Sequence, residues 1–304
     1  MSLDHLDVIV IVVAAVWGAV TGALLPRAAY RFSAPSGEAW RERCPGAHPV
    51  RGWLGRARCG PCAAEAVAGG EPGGSVAGGP VADGQPGGPR GGGPVADRSV
   101  TGGPAAHGQS GGPVAHGQSG GPARYGPRTA PLAAVTALVC VALAAATGTR
   151  PELAVWLLLA PAGVLLAVVD LRVRRLPDPL TLPLAGAALV LLGLTALVPE
   201  HAGEWTTALL GALALGAGYL VLFLINPAGM GFGDVKLALG AGAVLGWYGW
   251  PTVMLGTFAG FLLGALYGGA LVVTRRAGRR TAIPFGPFLI AGAFLGVLAG
   301  AYAA

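Results

Sequence analysis

Residues 152–170 read ELAVWLLLAPAGVLLAVVD, and this stretch decides the fold class. No residue between Glu152 and Asp170 carries a charge. As a helix rising 1.5 Å per residue, the run reaches about 27 Å, close to the thickness of bilayer hydrocarbon. A helix on the surface of a soluble domain would carry a polar stripe. This one has none, so its surroundings are lipid. Working outward, similar runs occupy 7–25, 131–147, 180–198, 205–226, 236–250, 251–273 and 284–303. Only helices satisfy their own backbone polar groups within one segment in lipid. The pattern therefore predicts an all-α polytopic membrane protein with about eight transmembrane helices. A cytoplasmic loop region falls between the first and the second.

Composition points the same way. Of 304 residues, 53% are hydrophobic and 11% charged, with a mean hydropathy of +0.62. Soluble domains carry roughly 25% charge. So few charges cannot cover a soluble surface, and so many apolar residues exclude disorder throughout. Four cysteines in a chain this long do not make a disulfide framework.

The chain divides into four regions. Residues 1–25 are the first transmembrane helix, retained because Asp4 and Asp7 replace the basic start of a secretory signal. Residues 26–68 form a basic subdomain with three of the four cysteines. Residues 69–130 contain a degenerate nine-residue repeat: GGPVADGQP from Gly78, GGPAAHGQS from Gly102 and GGPVAHGQS from Gly111. That composition cannot bury a core and predicts a disordered linker. His107 and His116 recur within it and read either as weak metal ligands or, more simply, as products of tandem duplication. Residues 131–304 form a seven-helix membrane domain.

Orientation follows from the short loops. If 26–130 is cytoplasmic, the loops on that side carry Arg172, Arg174, Arg175, Arg275, Arg276, Arg279 and Arg280. The opposite side carries Arg150, Glu200 and Glu204. The bias obeys the positive-inside rule and places both ends of the chain outside.

Span parity then puts two acids, Asp170 and Asp234, at the cytoplasmic face. Asp170 ends a helix, where the macrodipole disfavours an anion. It also reads as an interfacial acid paired with Arg172, Arg174 or Arg175. Asp234 precedes a helix and also reads as an N-cap. Lys236 reads as an interfacial anchor and Asp178 as a helix-entry residue. Together the two acids permit a further chemistry. Carboxylates brought close in a dry site share one proton; the ionised one activates water and the protonated one polarises a carbonyl. The glycines of GMGFGD fit a site that a substrate backbone must approach.

At these residues the chain resembles the type IV prepilin leader peptidases, membrane aspartic proteases of the GxGD type. Three stretches carry the resemblance: Asp170-LRVRR-Leu176-Pro177-Asp178, Gly231-Phe232-Gly233-Asp234-Val235-Lys236-Leu237, and Ile283-Pro284-Phe285-Gly286-Pro287-Phe288. GAVTGALLPRAAYRFS, from Gly18, is a weaker fourth. The resemblance implies Asp170 and Asp234 as catalytic residues. It also implies cleavage of a short basic leader from prepilin-like proteins, on the cytoplasmic side of their N-terminal hydrophobic segment. The implied location is the bacterial cytoplasmic (inner) membrane, with the active site on the cytoplasmic side. Prepilin-like substrates and the lipid bilayer are the expected partners, and no nucleic acid. Excision of the linker over 72–127 is expected to leave proteolysis largely intact.

Many members of that family also N-methylate the new terminus with S-adenosylmethionine and carry two C-x2-C pairs that suggest zinc. Here Cys59 and Cys62 form one pair, but the other reads Cys44-Pro45-Gly46-Ala47-His48. The expectation is a degraded cysteine domain. Zinc is expected only if Cys44, His48, Cys59 and Cys62 supply all four ligands. S-adenosylmethionine is expected only if methylation is retained, and proteolysis itself requires no cofactor. Cys140, mid-span, reads as a small buried hydrophobe. Two other classes fit the composition: a transporter or channel with acids in its path, and a non-catalytic assembly scaffold. A transporter more often holds its acids near the midplane of an inverted repeat.

Overall fold

A computed structural model describes residues 3–35, 37–68, 123–227, 229–274 and 284–304. The repeats, with His107 and His116, and the arginines at 275, 276, 279 and 280 lie outside the described residues. Among the described residues the chain is helical: α1 (Leu3–Phe32), α2 (Gly60–Ala68), α3 (Thr129–Thr147), α4 (Glu152–Val173), α5 (Asp178–Thr195), α6 (Trp205–Ile225), α7 (Phe232–Gly246), α8 (Trp250–Val273) and α9 (Gly286–Ala303). Seven of these, all but α2 and α7, are long and apolar enough to cross a bilayer. One of the eight expected spans falls short of that length. The span expected at 236–250 is the 15-residue α7, whose length reaches only about 22 Å.

Small residues let the helices approach. Gly18 and Gly22 lie on one face of α1, and a Cβ on either would fall 2.7 Å from α3, at Ala137 Cα and Thr136 Oγ1 respectively. Gly292 of α9 stands equally close to α8, where a Cβ would lie 2.6 Å from the Gly260 nitrogen. Such spacing brings backbones together in lipid, where dispersion contacts replace the hydrophobic effect. The core lies among α4, α6, α7 and α9 around Leu166, Tyr219, Leu245, Trp247 and Leu289, while Val16, Leu213, Leu220 and Phe258 point outward.

The end of the bundle where α1 stops also holds the C-terminus of α4 and the N-termini of α5, α7 and α9. Arg175 reaches across this end to donate to the Pro35 carbonyl (3.1 Å) and lies over Trp40. Beyond α1 sits a small subdomain. Arg27 donates to the Arg51 and Arg56 carbonyls, and Arg31 to Val50 and Gly52. These bonds fold residues 41–58 back onto the end of α1. Residues 123–126 belong to this subdomain and not to a linker. Cys59 N–H donates to the Ala123 carbonyl (2.9 Å), Tyr125 N–H donates to Ala57 (3.1 Å), and Tyr125 packs on Tyr30.

Candidate active site

Asp170 stands in the last turn of α4, whose end is fixed by Arg174 in the left-handed region (φ 53°) with its N–H on the Asp170 carbonyl. The helix outruns its expected end by three residues, so the carboxylate is buried, at 4% exposure. Its expected ion pairing with Arg172, Arg174 or Arg175 is not formed; Arg175 is engaged at Pro35 and Trp40. Instead Asp170 Oδ2 accepts the Gly286 N–H at 3.1 Å. Gly286 is the first residue of α9. The unfavourable C-terminus of its own helix is thus offset by the positive N-terminal end of another.

Asp234 is 7% exposed and sits in the first turn of α7, with Gly231 as N-cap. It is the third helical residue and not the N-cap expected from its position. Its Oδ2 accepts the Gly231 N–H at 3.2 Å while its own N–H donates to the Gly231 carbonyl at 3.0 Å. Each carboxylate therefore meets one backbone donor at a helix start, and neither pairs with a cation among the described residues. Both line one cavity of about 450 Å³, together with Leu176, Met230, Phe232 and Phe285.

Two glycines let the segments around this cavity pack closely. A Cβ on Gly286 would lie 2.7 Å from Asp170 Oδ2, and one on Gly233 would lie 2.9 Å from Leu176 Cβ. Leu176, in the loop after α4, is wedged against the starts of both α7 and α9. The motifs are also tied by an ion pair. Lys236 Nζ lies 2.7 Å from Asp178 Oδ1 and stacks over Phe232. Sequence reasoning read these two residues separately, as anchor and helix entry; their opposite charges beside the two aspartates were the available signal. Also missed was Glu152, fully buried at the far end of the bundle beside Arg150 and Tyr248.

The second constellation lies in the subdomain. One donor atom each from Cys44, His48, Cys59 and Cys62 falls within 4.8 Å of the others. The expectation of a degraded cysteine domain is therefore corrected: the four donors form a Cys3His set that can hold a metal ion. Ala47 takes a left-handed φ of 63° and Cys44 N–H donates to the His48 carbonyl, so the loop closes one residue late and the imidazole fills the fourth corner. Cys44 Sγ lies 3.6 Å from Cys62 Sγ, and His48 Nδ1 lies 3.3 Å and 3.7 Å from Cys62 and Cys44. Tetrahedral zinc with bonds near 2.3 Å places neighbouring sulfurs roughly 3.8 Å apart. His48 Nε2 faces Glu65 at 3.7 Å. Burial and the neighbouring thiols push Cys62 up to about 12. At Cys44 burial also opposes ionisation, but bonds from His48 prevail and bring it to about 7.

Comparison with known proteins bears on the first constellation. Residues 155–269 match the model of the type IV leader peptidase family. A prepilin leader peptidase/N-methyltransferase of Aeromonas salmonicida is 39% identical over 145 residues, covering 45% of this chain and 46% of its own. The protein of that name from Aeromonas hydrophila is 37% identical over 174 residues (55% and 56%). That from Escherichia coli K12 is 35% identical over 140 (43% and 56%). The chain thus spans about half the length of these curated relatives. No solved structure matches it. The segment that holds Asp170 and Asp234 is, over 155–269, similar to the type IV leader peptidase family.

Proposed function

We propose that this protein is a membrane aspartic endopeptidase that removes the short basic leader of type IV prepilin-like proteins. The observation that carries the reading is one cavity bearing two buried carboxylates, each on a backbone donor at a helix start. Two such groups in a water-poor site hold one proton between them. The ionised carboxylate takes a proton from the attacking water. The protonated one donates to the scissile carbonyl oxygen, and a proton passes to the leaving nitrogen as the tetrahedral species collapses. No covalent enzyme intermediate forms. The Gly286 and Gly231 N–H groups hold the carboxylates in place, and the glycines leave room for a substrate backbone.

The site lies at the end of the bundle that also holds the basic subdomain. By the positive-inside rule that end is cytoplasmic, in a bacterial cytoplasmic membrane. Cys44, His48, Cys59 and Cys62 hold a structural zinc ion; when bound, the metal cross-links residues 44–48 to the start of α2. The Cys3His set supports retention of the companion activity. N-methylation of the new N-terminus with S-adenosylmethionine, the second half of the relatives' names, belongs to the proposal.

The test is cleavage of a co-expressed prepilin-like protein, read as the mass of its mature N-terminus. Asp170→Asn and Asp234→Asn should each lower processing by about 10³-fold, within the range for acid–base groups. Full processing by both variants would remove the dyad.

A further inference from the structure

The faces of α4 and α7 that carry the aspartates continue into the membrane as apolar walls. Gly163 and Leu159 lie seven and eleven residues before Asp170, two and three helical turns below it on the same face. Leu237, Ala241 and Val244 follow Asp234 in the same way on α7. These residues line a cavity of about 110 Å³ between α4, α5, α7 and α9. A larger one, of about 480 Å³, lies among α3, α4 and α9. The two share Leu159, Gly163, Val244, Ile290 and Ala293, so they meet in the bundle. The rim of the larger includes Leu171 and Pro287, the next residues after Asp170 and Gly286. Leu171 and Val135 there are half exposed. A Cβ on Gly163 meets only Ile290 Cγ2, at 3.7 Å, so that glycine leaves space and does not close a helix pair.

From this continuity we infer that the cleft between α3, α4 and α9 receives the apolar helix of the substrate, the segment that follows the scissile bond. The inference rests on the endopeptidase reading. A chain cut beside Asp170 and continuing as a membrane helix must descend within a few ångströms of Leu171 and Pro287. Leu171 and Pro287 line the cleft, and its walls are apolar throughout. Side chains at helical spacing would enter the widened region at Gly163, as knobs enter holes. The occupant is thus covalently continuous with the peptide held by the aspartates, which an acyl chain or a second copy is not.

The test uses the full chain in membranes with two substrates. One is a prepilin-like protein with its basic leader and apolar segment. The other is a peptide across the same cleavage site that lacks the apolar segment. Gly163→Leu should lower the preference for the long substrate, as the ratio of the two kcat/KM values, by roughly tenfold. An unchanged ratio overturns the inference. Because Gly163→Leu can also disturb packing, a second measurement leaves the cleft intact. p-Benzoylphenylalanine at Phe294, on the cleft wall, is photolysed in the Asp234→Asn background with the long substrate present. Adducts to its apolar segment recurring every three or four residues support the inference. Adducts to lipid alone, or to a second copy of the chain, overturn it. If the unmodified chain cleaves neither substrate, the endopeptidase reading fails first; cleavage of both with no preference sinks only the cleft.

Discussion

Gly286 has no room for a side chain on its Asp170 face. It gives its N–H to Asp170, and the Cβ of any other residue would press on the same carboxylate at 2.7 Å. Gly286→Ala is expected to move the carboxyl group while α9 still forms, because alanine favours the helix. The expected outcome is a fall in kcat of roughly 10-fold to 100-fold, the cost of an ångström-scale misplacement. Expression and helix content should stay unchanged. Steady-state cleavage with circular dichroism checks both. Gly231 makes a useful comparison, since a Cβ there meets Asp234 Oδ2 only at 3.6 Å. Gly231→Ala should cost much less.

At the scale of elements, the site depends on α9 being held against its neighbours. Only the first turn of α9 reaches Asp170, but the helix is seated two turns deeper, where Gly292 meets Gly260 of α8. Gly292→Leu is expected to cost about 2 kcal/mol by overpacking. It should also lower cleavage, because displacing α9 withdraws the Gly286 N–H. Thermal unfolding in detergent and cleavage measured on the same sample test this. Loss of stability with full activity would mean that the start of α9 is held independently, by Leu176 and Phe285. α7 shows how the site constrains length. Its N-terminus must stop at the level of Asp170 to present Asp234. Its C-terminus is fixed where the Trp247 carbonyl accepts the Glu204 N–H. The helix between those points is consequently short.

At the scale of the whole molecule, the subdomain and the bundle join through α1 and residues 123–126. Excision of 72–127, expected from sequence to spare proteolysis, would remove the Ala123 and Tyr125 partners of Cys59 and Ala57. It should damage the subdomain and metal retention. Excision of 72–120 keeps those partners. The nine residues of α2 rise only about 14 Å, a gap that the remaining five residues can bridge. The shorter deletion should therefore retain both zinc and cleavage. Metal analysis of the two variants separates the outcomes. Cys59→Ser with Cys62→Ser should eliminate bound zinc and loosen residues 41–68 to protease, with cleavage at Asp170 and Asp234 reduced less than metal content. Zinc-free protein of native protease resistance would discard the metal.

What the sequence determined by itself is whatever depends on local composition. The uncharged runs dictated helices in lipid, because no other backbone conformation satisfies itself there. Span parity put Asp170 and Asp234 on one face. Tertiary structure decided what depends on distance between segments remote in the chain. Asp170 looks poorly placed at the end of its own helix, and only the approach of α9 supplies a compensating N-terminus. His48 looks misplaced by one position, and only the left-handed turn at Ala47 brings its ring into the cysteine set. Asp178 and Lys236 are unremarkable apart, and only the packing of α5 on α7 pairs them. In each case local pattern sets the element, while the partner of a polar group is set by which segments, remote in the chain, the tertiary structure brings together.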